Sequence, residues 1–234
     1  MNDIINSPVF GVLIALIAYE IGVYINKRTK LSIFNPLLIA MIILITFLTK
    51  FNIKYETFNN GGQLISFLLY PATVALALPM HRKFNLFKEN AMPILIGILF
   101  GNICGITCII FLCKFFDLSD MLTKSLMPKS ITTPIGMALS KQLGGMPSIT
   151  VVAIILTGVI GSIIGPYLYS LFKINDKVAM GIAMGASSHA VGTAKSMELG
   201  ETEGAMSGLT MAISGIITVF LAPAIWNIFS VFIK

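Results

Sequence analysis

The stretch Met127-Pro128-Lys129-Ser130-Ile131-Thr132-Thr133-Pro134 places a lysine, three hydroxyl side chains and two prolines inside a strongly apolar sequence. A second polar stretch, Gly185-Ala186-Ser187-Ser188-His189-Ala190-Val191-Gly192-Thr193, follows it. Backbone in hydrocarbon must satisfy its own hydrogen bonds, so such interruptions survive at membrane depth only where they line a protein-enclosed cavity. The pair therefore predicts two broken helices beside a binding site.

The composition is that of an integral membrane protein. Of 234 residues, 56% are hydrophobic and 11% are charged, against about 25% charged in an ordinary soluble domain. A hydrocarbon core about 30 Å thick needs about 20 apolar residues per helix. Six stretches approach that length: Ser7–Asn26, Ile33–Thr49, Gln63–Met80, Met92–Cys113, Pro147–Ser170 and Gly204–Phe232.

The two polar stretches belong to a weak internal repeat with an offset of 57 residues. The offset pairs Ser130 with Ser187, Thr157 with Ser214, Gly158 with Gly215, Pro166 with Pro223, Tyr169 with Trp226 and Phe172 with Phe229. If each unit is a re-entrant hairpin plus one crossing, consecutive units have opposite orientation. The sequence thus predicts an all-α integral membrane fold with about six transmembrane helices and two re-entrant broken-helix hairpins in an inverted repeat.

Basic residues follow the first, third and fifth spans: Lys27, Arg28, Lys30, Arg82, Lys83, Lys88, Lys173 and Lys177. The positive-inside rule puts these loops in the cytoplasm and the N-terminus outside. Lys50 and Lys54 on the opposite side weaken this bias. Lys173 and Lys177 stay cytoplasmic only if the first polar stretch turns back, which favours the re-entrant form over a full crossing.

The predicted organisation is one integral membrane domain in two parts. Residues 1–118 form a scaffold of four helices, and residues 119–234 form the repeat pair. The pair consists of hairpin 119–145, helix 147–170, hairpin 177–200 and helix 204–232.

The first polar stretch has the features of an anion site. Thr133 is a suitable N-cap, and Pro134 fits the first helical position, where no N–H is needed. The free N–H groups of such a helix start bind anions. Ser130 and Thr132 add hydroxyl donors, and Lys129 adds charge. Alternatively, the hydroxyls only satisfy the broken backbone and Lys129 extends to the interface.

The second stretch offers the same arrangement from the opposite side of the membrane. Ser187 or Ser188 can cap a half-helix whose first turn contains His189. The imidazole could bind a carboxylate or carry a proton, and Thr193 completes the candidate set. A lone helical histidine is more often structural, but intramembrane ionisable groups are functional by default.

Other motifs favour structural roles. Gly97, Gly101 and Gly105 have the spacing of a helix-packing stripe. The three cysteines lie on one span without histidine or carboxylate neighbours, so neither a metal nor another cofactor is expected. No nucleophile, base and orienting group assemble for catalysis, which argues against an enzyme. Short-loop basic residues do not form a nucleic-acid-binding face.

Over nearly its whole length the chain resembles the LrgB/CidB family of bacterial membrane proteins, which is related to the plastid glycolate/glycerate translocator. The resemblance is carried by residues 35–40, by residues 71–79 and by the two polar stretches at 127–134 and 188–194. It implies a multi-pass protein of the bacterial plasma membrane.

The family resemblance implies two alternative functions. Members are described as antiholin-like or holin-associated regulators of murein hydrolase export and programmed cell death, often with a small LrgA/CidA-type partner. Others transport small carboxylates such as pyruvate or glycolate. The polar stretches favour the second description, a small-carboxylate transporter working by alternating access, and the regulator is the alternative. Coupling ion and homo-oligomer formation stay open.

Overall fold

A computed structural model describes residues 7–29 and 34–232, with all their side chains except those of residues 69, 70, 73, 76, 231 and 232. The described residues contain helices and no strands. The helices are α1 (Pro8–Thr29), α2 (Pro36–Lys50), α3 (Tyr55–Phe67), α4 (Leu69–Arg82), α5 (Phe84–Glu89), α6 (Ala91–Phe115), α7 (Asp120–Leu126), α8 (Thr133–Leu143), α9 (Pro147–Leu171), α10 (Lys177–Leu199) and α11 (Glu201–Phe232). Lys30 and the predicted start of the second span, Ile33, lie outside the described residues.

Among the described residues, four helices are long and apolar enough to cross a membrane: α1, α6, α9 and α11. They match four of the six predicted spans, and α2 is a shorter apolar helix of 15 residues. The predicted span Gln63–Met80 is instead two helices with a break at Leu68. Pro71 explains the break, because it lacks the N–H that a continuous helix would use at that point. The membrane-embedded all-α class is confirmed, while the six-span count remains a prediction.

The chain forms two compact units, residues 1–76 and 77–234. The predicted division after residue 118 remains a prediction. In the first unit, α1 packs against α2 and α3 through glycines. A Cβ on Gly11 would lie 2.5 Å from the Phe58 carbonyl oxygen, and one on Gly22 would lie 2.5 Å from the Pro36 carbonyl oxygen. Close backbone approach of this kind is how membrane helices associate.

In the second unit, α7 and α8 form the first hairpin. Ser119 caps α7 by accepting a hydrogen bond from the Leu122 N–H. Gly144, with φ of 81°, ends α8 in the left-handed conformation that glycine adopts without strain. The Met146 N–H then donates to Ser125 Oγ at 2.7 Å. The chain therefore returns to the level of α7 before α9 begins.

The helix α10 is the second hairpin, because it reverses direction at His189. This residue has φ 43° and ψ −130°, outside the helical region. A Cβ on Gly192 would lie 2.8 Å from the Met184 carbonyl oxygen, whereas eight residues of straight helix span about 12 Å. Both arms also lie along α11: Gly181 contacts Glu203, and Met197 contacts Gly204. Residues 177–188 and 190–199 thus form two arms.

The two hairpins pack on each other's following helix. The His189 ring lies against Gly158 of α9, where a Cβ would be 2.7 Å from Cε1. Reciprocally, a Cβ on Gly215 of α11 would be 3.1 Å from Cδ1 of Ile135. Gly158 and Gly215 are paired by the 57-residue offset. Reciprocal contacts of this kind are the signature of a two-fold relation, as an inverted repeat requires.

The aromatic pair of the repeat makes equivalent contacts at the other end of each helix. Tyr169 Oη donates to the Met180 carbonyl near the start of the second hairpin, at 2.8 Å. Lys124 Nζ, in the first hairpin, lies 4.9 Å from the centroid of the Trp226 ring. These contacts fix each helix to the opposite hairpin.

We predict that Gly185→Ala destabilises the protein while Gly97→Ala does not. A methyl group on Gly185 would collide with backbone atoms of Ser207, including Cα at 2.9 Å, whereas nothing lies within 4 Å of a Cβ on Gly97. Overpacking costs about 1–3 kcal/mol. Thermal unfolding in detergent should show a lower midpoint for the first variant alone, and equal midpoints would contradict the hairpin packing.

Candidate functional site

A cavity of about 830 Å³ lies within the second unit, between α6, α9 and the two hairpins. Its volume falls in the range of about 300–1,000 Å³ that is usual for small-molecule sites. The wall is mainly apolar, and its polar residues are Asn102, Lys129, Ser130, Thr157, Ser187, Ser188 and Thr218.

Lys129 gives this cavity its charge. It is the only charged residue among those described as lining the wall. Its Nζ donates to Ser130 Oγ at 3.2 Å, and no carboxylate in residues 7–29 or 34–232 forms an ion pair with it. A half-buried ammonium without a counter-ion is energetically costly. The site is therefore suited to receive an anion.

Ser187 and Ser188 belong to the cavity wall contributed by the second hairpin. Ser187 is exposed, and its hydroxyl donates to the Ala183 carbonyl at 2.7 Å. The two serine hydroxyl oxygens lie 3.0 Å apart. Ser188 is buried against Gly161, where any side chain would collide with its hydroxyl. Hydroxyl residues of both hairpins thus lie on the wall of one cavity, and their part in binding stays a prediction.

Thr132 and Thr133 lie beside the cavity and are not part of its described wall. The predicted cap at Thr133 is wrong by one residue. Thr132 is the N-cap, with extended φ −65° and ψ 146°, because its carbonyl accepts the Gly136 N–H at 2.8 Å and closes the first turn. Thr133 is the first helical residue, and no side-chain capping bond is made by Thr132.

His189 and Thr193 are also absent from the described wall. The prediction that His189 lies in the first turn of a half-helix capped by Ser187 or Ser188 is wrong, because the break falls at His189 itself. His189 is 3% exposed, and its Nε2 donates to the Ile154 carbonyl at 2.9 Å. Thr193 is fully buried and donates to the His189 carbonyl at 2.9 Å. Both side chains hold the reversal together.

Sequence reasoning missed three polar wall residues: Asn102, Thr157 and Thr218. Asn102 exchanges hydrogen bonds with Ser214, whose hydroxyl donates to Asn102 Oδ1 at 2.8 Å. The sequence does contain a signal for Asn102, because it is the only amide side chain in the apolar stretch Met92–Cys113 and directly follows Gly101.

The glycine stripe of α6 does not pack a helix, contrary to expectation. Within the described residues, no atom lies within 4 Å of a Cβ on Gly97, Gly101 or Gly105. All three line the cavity, so the stripe leaves its space open. The glycines of α9 do pack closely, as expected for such stripes: a Cβ on Gly165 would lie 2.6 Å from the Met184 methyl carbon.

The described residues contain no group of three or more histidine, cysteine or acidic side chains that could hold a metal ion. Cys104 and Cys108 are exposed on α6, and Cys113 is buried. The donors that converge in the cavity are an ammonium, hydroxyls and an amide. This set can hydrogen-bond and neutralise a small anion.

We predict that Ser187→Cys reacts rapidly with an anionic, water-soluble methanethiosulfonate, while Thr193→Cys is protected. Both are made in a background with Cys104, Cys108 and Cys113 changed to Ala. Ser187 is exposed in the cavity, and Thr193 is fully buried against Ser207. Mass spectrometry of the labelled protein in vesicles checks this. Equal labelling rates would contradict the placement of the cavity.

Comparison with known proteins identifies the family. A model of the LrgB-like family matches residues 15–228. The chain is 37% identical to "Antiholin-like protein LrgB" of Bacillus subtilis (strain 168) over 218 residues, which is 93% of this chain and 94% of the relative. It is 36% identical to the proteins of the same name from Bacillus mycoides (strain KBAB4) and Bacillus cereus (strain B4264), over 93% of this chain and 95% of each relative.

No solved structure matches the chain significantly. The family match spans both hairpins, all of α6 and α9, and most of α1 and α11. The molecule is a multi-pass bacterial membrane protein, and it belongs to the LrgB-like family.

Proposed function

We propose that this protein acts as an antiholin-like membrane regulator, controlling the export of murein hydrolases and thereby cell lysis. The observation that carries this proposal is the similarity to proteins named antiholin-like protein LrgB, at 37% identity across 93% of the chain. The match covers almost the full length of both proteins. A small membrane protein of the LrgA/CidA type is the expected partner.

A second candidate function rests on the cavity. We propose that the cavity binds a small carboxylate, of the size of pyruvate or glycolate, and passes it across the membrane. The supporting observation is Lys129, a half-buried ammonium on the cavity wall without a counter-ion among the described residues. An anion placed there recovers charge pairing in a low-dielectric setting, where the interaction is strong.

The hydroxyls beside Lys129 would orient such an anion. Ser130 already accepts a hydrogen bond from Lys129 Nζ, and Ser187 and Ser188 line the wall from the other hairpin. A carboxylate has two oxygens that accept several donors. Contacts with both hairpins at once would allow binding to couple their positions.

The remaining predicted site residues take positioning roles in this proposal. Thr132 is the N-cap of α8, directly after the wall residue Ile131, and Thr133 is the first residue of that helix. The free N–H groups at the start of α8 add a partial positive charge near the anion. His189 and Thr193 act through the hairpin reversal that presents Ser187 and Ser188. Movement of the hairpin pair against α6 would then provide alternating access.

The two functions are compatible with one molecule. A regulator of lysis can act by moving a small metabolic anion, or it can act only through its partner. The discriminating property is whether anion movement needs Lys129. The experiments below therefore measure anion movement and lysis separately on the same variants.

We predict that Lys129→Gln lowers saturable carboxylate uptake into proteoliposomes at least about tenfold, since losing a charge-assisted bond costs about 1.5–3 kcal/mol. The matched control is Lys141→Gln, an exposed lysine near the end of α8. Labelled pyruvate and glycolate are measured with and without an inward proton gradient. No saturable uptake by wild-type protein, or equal uptake by the Lys129 variant, would contradict the anion site.

Lysis is tested in a bacterium lacking its own LrgB-type protein. We expect expression of the wild-type chain, with its small membrane partner, to delay autolysis and reduce extracellular murein hydrolase activity. If Lys129→Gln keeps this effect while uptake is lost, regulation works through the partner. If the wild-type chain changes neither autolysis nor hydrolase release, the regulator proposal is contradicted.

A further inference from the structure

A polar cluster lies outside the cavity, where the second hairpin ends and α11 begins. Glu203 is 5% exposed and Ser196 is 1% exposed. Within the described part of the chain, Oε2 of Glu203 and Oγ of Ser196 have no hydrogen-bond partner. Buried oxygens of this kind cost free energy unless something pairs with them.

Both oxygens belong to residues that flank Gly200. The Glu203 side chain folds back over this glycine, where a Cβ would lie 2.9 Å from Cδ and 3.2 Å from Oε1. The Gly200 N–H donates to the Ser196 carbonyl at 3.0 Å. Ser196 is one helical turn before Gly200, and Glu203 is the third residue of α11. The cluster therefore joins the foot of the hairpin to α11.

The helix start explains only part of this arrangement. A glutamate in the first turn is stabilised by the positive end of the helix dipole and often reaches back to the cap residue. That role accounts for the position of the carboxylate. It does not account for an oxygen that is buried without a donor.

No side chain of the described residues neutralises Glu203. The neighbouring carboxylates are paired elsewhere, Glu198 with Lys195 at 2.7 Å and Glu201 with Arg82 at 3.7 Å. The other titratable or charged groups on the elements packed against α11 are His81 on α4, Lys88 and Glu89 on α5, Cys104, Cys108, Cys113 and Lys114 on α6, Asp120 and Lys124 on α7, Lys141 on α8, and Lys177 and His189 on α10. None of them forms an ion pair or a hydrogen bond with Glu203.

The first repeat provides an internal comparison. Met146 takes the place of Glu203 under the 57-residue offset, and Thr150 takes the place of Ser207. Thr150 Oγ1 lies 2.7 Å from Ser140 Oγ and 2.8 Å from the Ser125 carbonyl oxygen, and its counterpart Ser207 is likewise paired, with Oγ 2.9 Å from Thr193 Oγ1. Only the second repeat has a carboxylate and unpaired oxygens at this junction. The difference points to a bound group in the second repeat.

We propose that Glu203 and Ser196 bind a small monovalent cation, sodium or a proton, at the foot of the second hairpin. The available donors are a carboxylate, a hydroxyl and carbonyls of the last turn of α10, which are the oxygen ligands that such cations take at broken helices. Sodium would bridge the two residues. A proton on Oε2 would neutralise the buried carboxylate. Either cation would stabilise the contact between the end of the second hairpin and α11.

The test measures stability, so it does not depend on which function is correct. Purified protein in lipid nanodiscs is unfolded by heat in increasing NaCl, with choline chloride keeping the ionic strength constant, and again from pH 8 to pH 6 without sodium. We expect a saturable rise in the midpoint with one cation, because a ligand that binds only the folded state stabilises it. Glu203→Gln should abolish the rise, while the exposed control Glu201→Gln should keep it.

Ser196→Ala is the second variant, and it should raise the half-saturating cation concentration several-fold. A rise with sodium alone identifies sodium, and a rise with falling pH alone identifies the proton. A wild-type midpoint that responds to neither cation would overturn the proposal, as would a Glu203→Gln variant that responds like wild type. If Glu203→Gln does not fold, an unchanged half-saturating concentration in Ser196→Ala would overturn it.

Discussion

The hydrogen bond from His189 Nε2 to the Ile154 carbonyl, 2.9 Å long, holds the turn on which the second hairpin depends. A chain that reverses inside a membrane frees backbone groups that lipid cannot satisfy. The His189 carbonyl is satisfied by Thr193 Oγ1 at 2.9 Å. His189 has φ 43° and ψ −130°, a positive φ that glycine adopts more readily than other residues. Both bonds therefore stabilise the reversal at His189.

The cavity follows from that turn. Reversal at His189 brings Ser187 and Ser188 to the wall, and the glycines of α9 let the hairpin approach closely. The first hairpin supplies Lys129 and Ser130 to the same wall. On the α6 side of the cavity, Gly97, Gly101 and Gly105 have no side chains that would fill the space. Each hairpin therefore contributes part of the cavity wall, and both are needed to form a site suited to a small anion.

Much of this arrangement could be predicted from the sequence. The apolar length predicts the four long helices, and the 57-residue offset pairs Gly158 with Gly215 and Tyr169 with Trp226, which make reciprocal contacts with the two hairpins. Local chemistry was less informative. The rule for N-caps selected Thr133 beside Pro134, but the first turn closes on Thr132. The place of the reversal depends on the Ile154 carbonyl, 35 residues away, and no local pattern reveals such a partner.

The measurement that tests the account most directly is the distance between spin labels at positions 177 and 198, near the two ends of α10, recorded by pulsed electron paramagnetic resonance in lipid nanodiscs. A continuous helix would separate these positions by about 31 Å, at 1.5 Å per residue. The hairpin predicts about 20 Å or less, because packed helices lie about 8–10 Å apart. A dominant distance near 30 Å would contradict the reversal at His189 and, with it, the cavity.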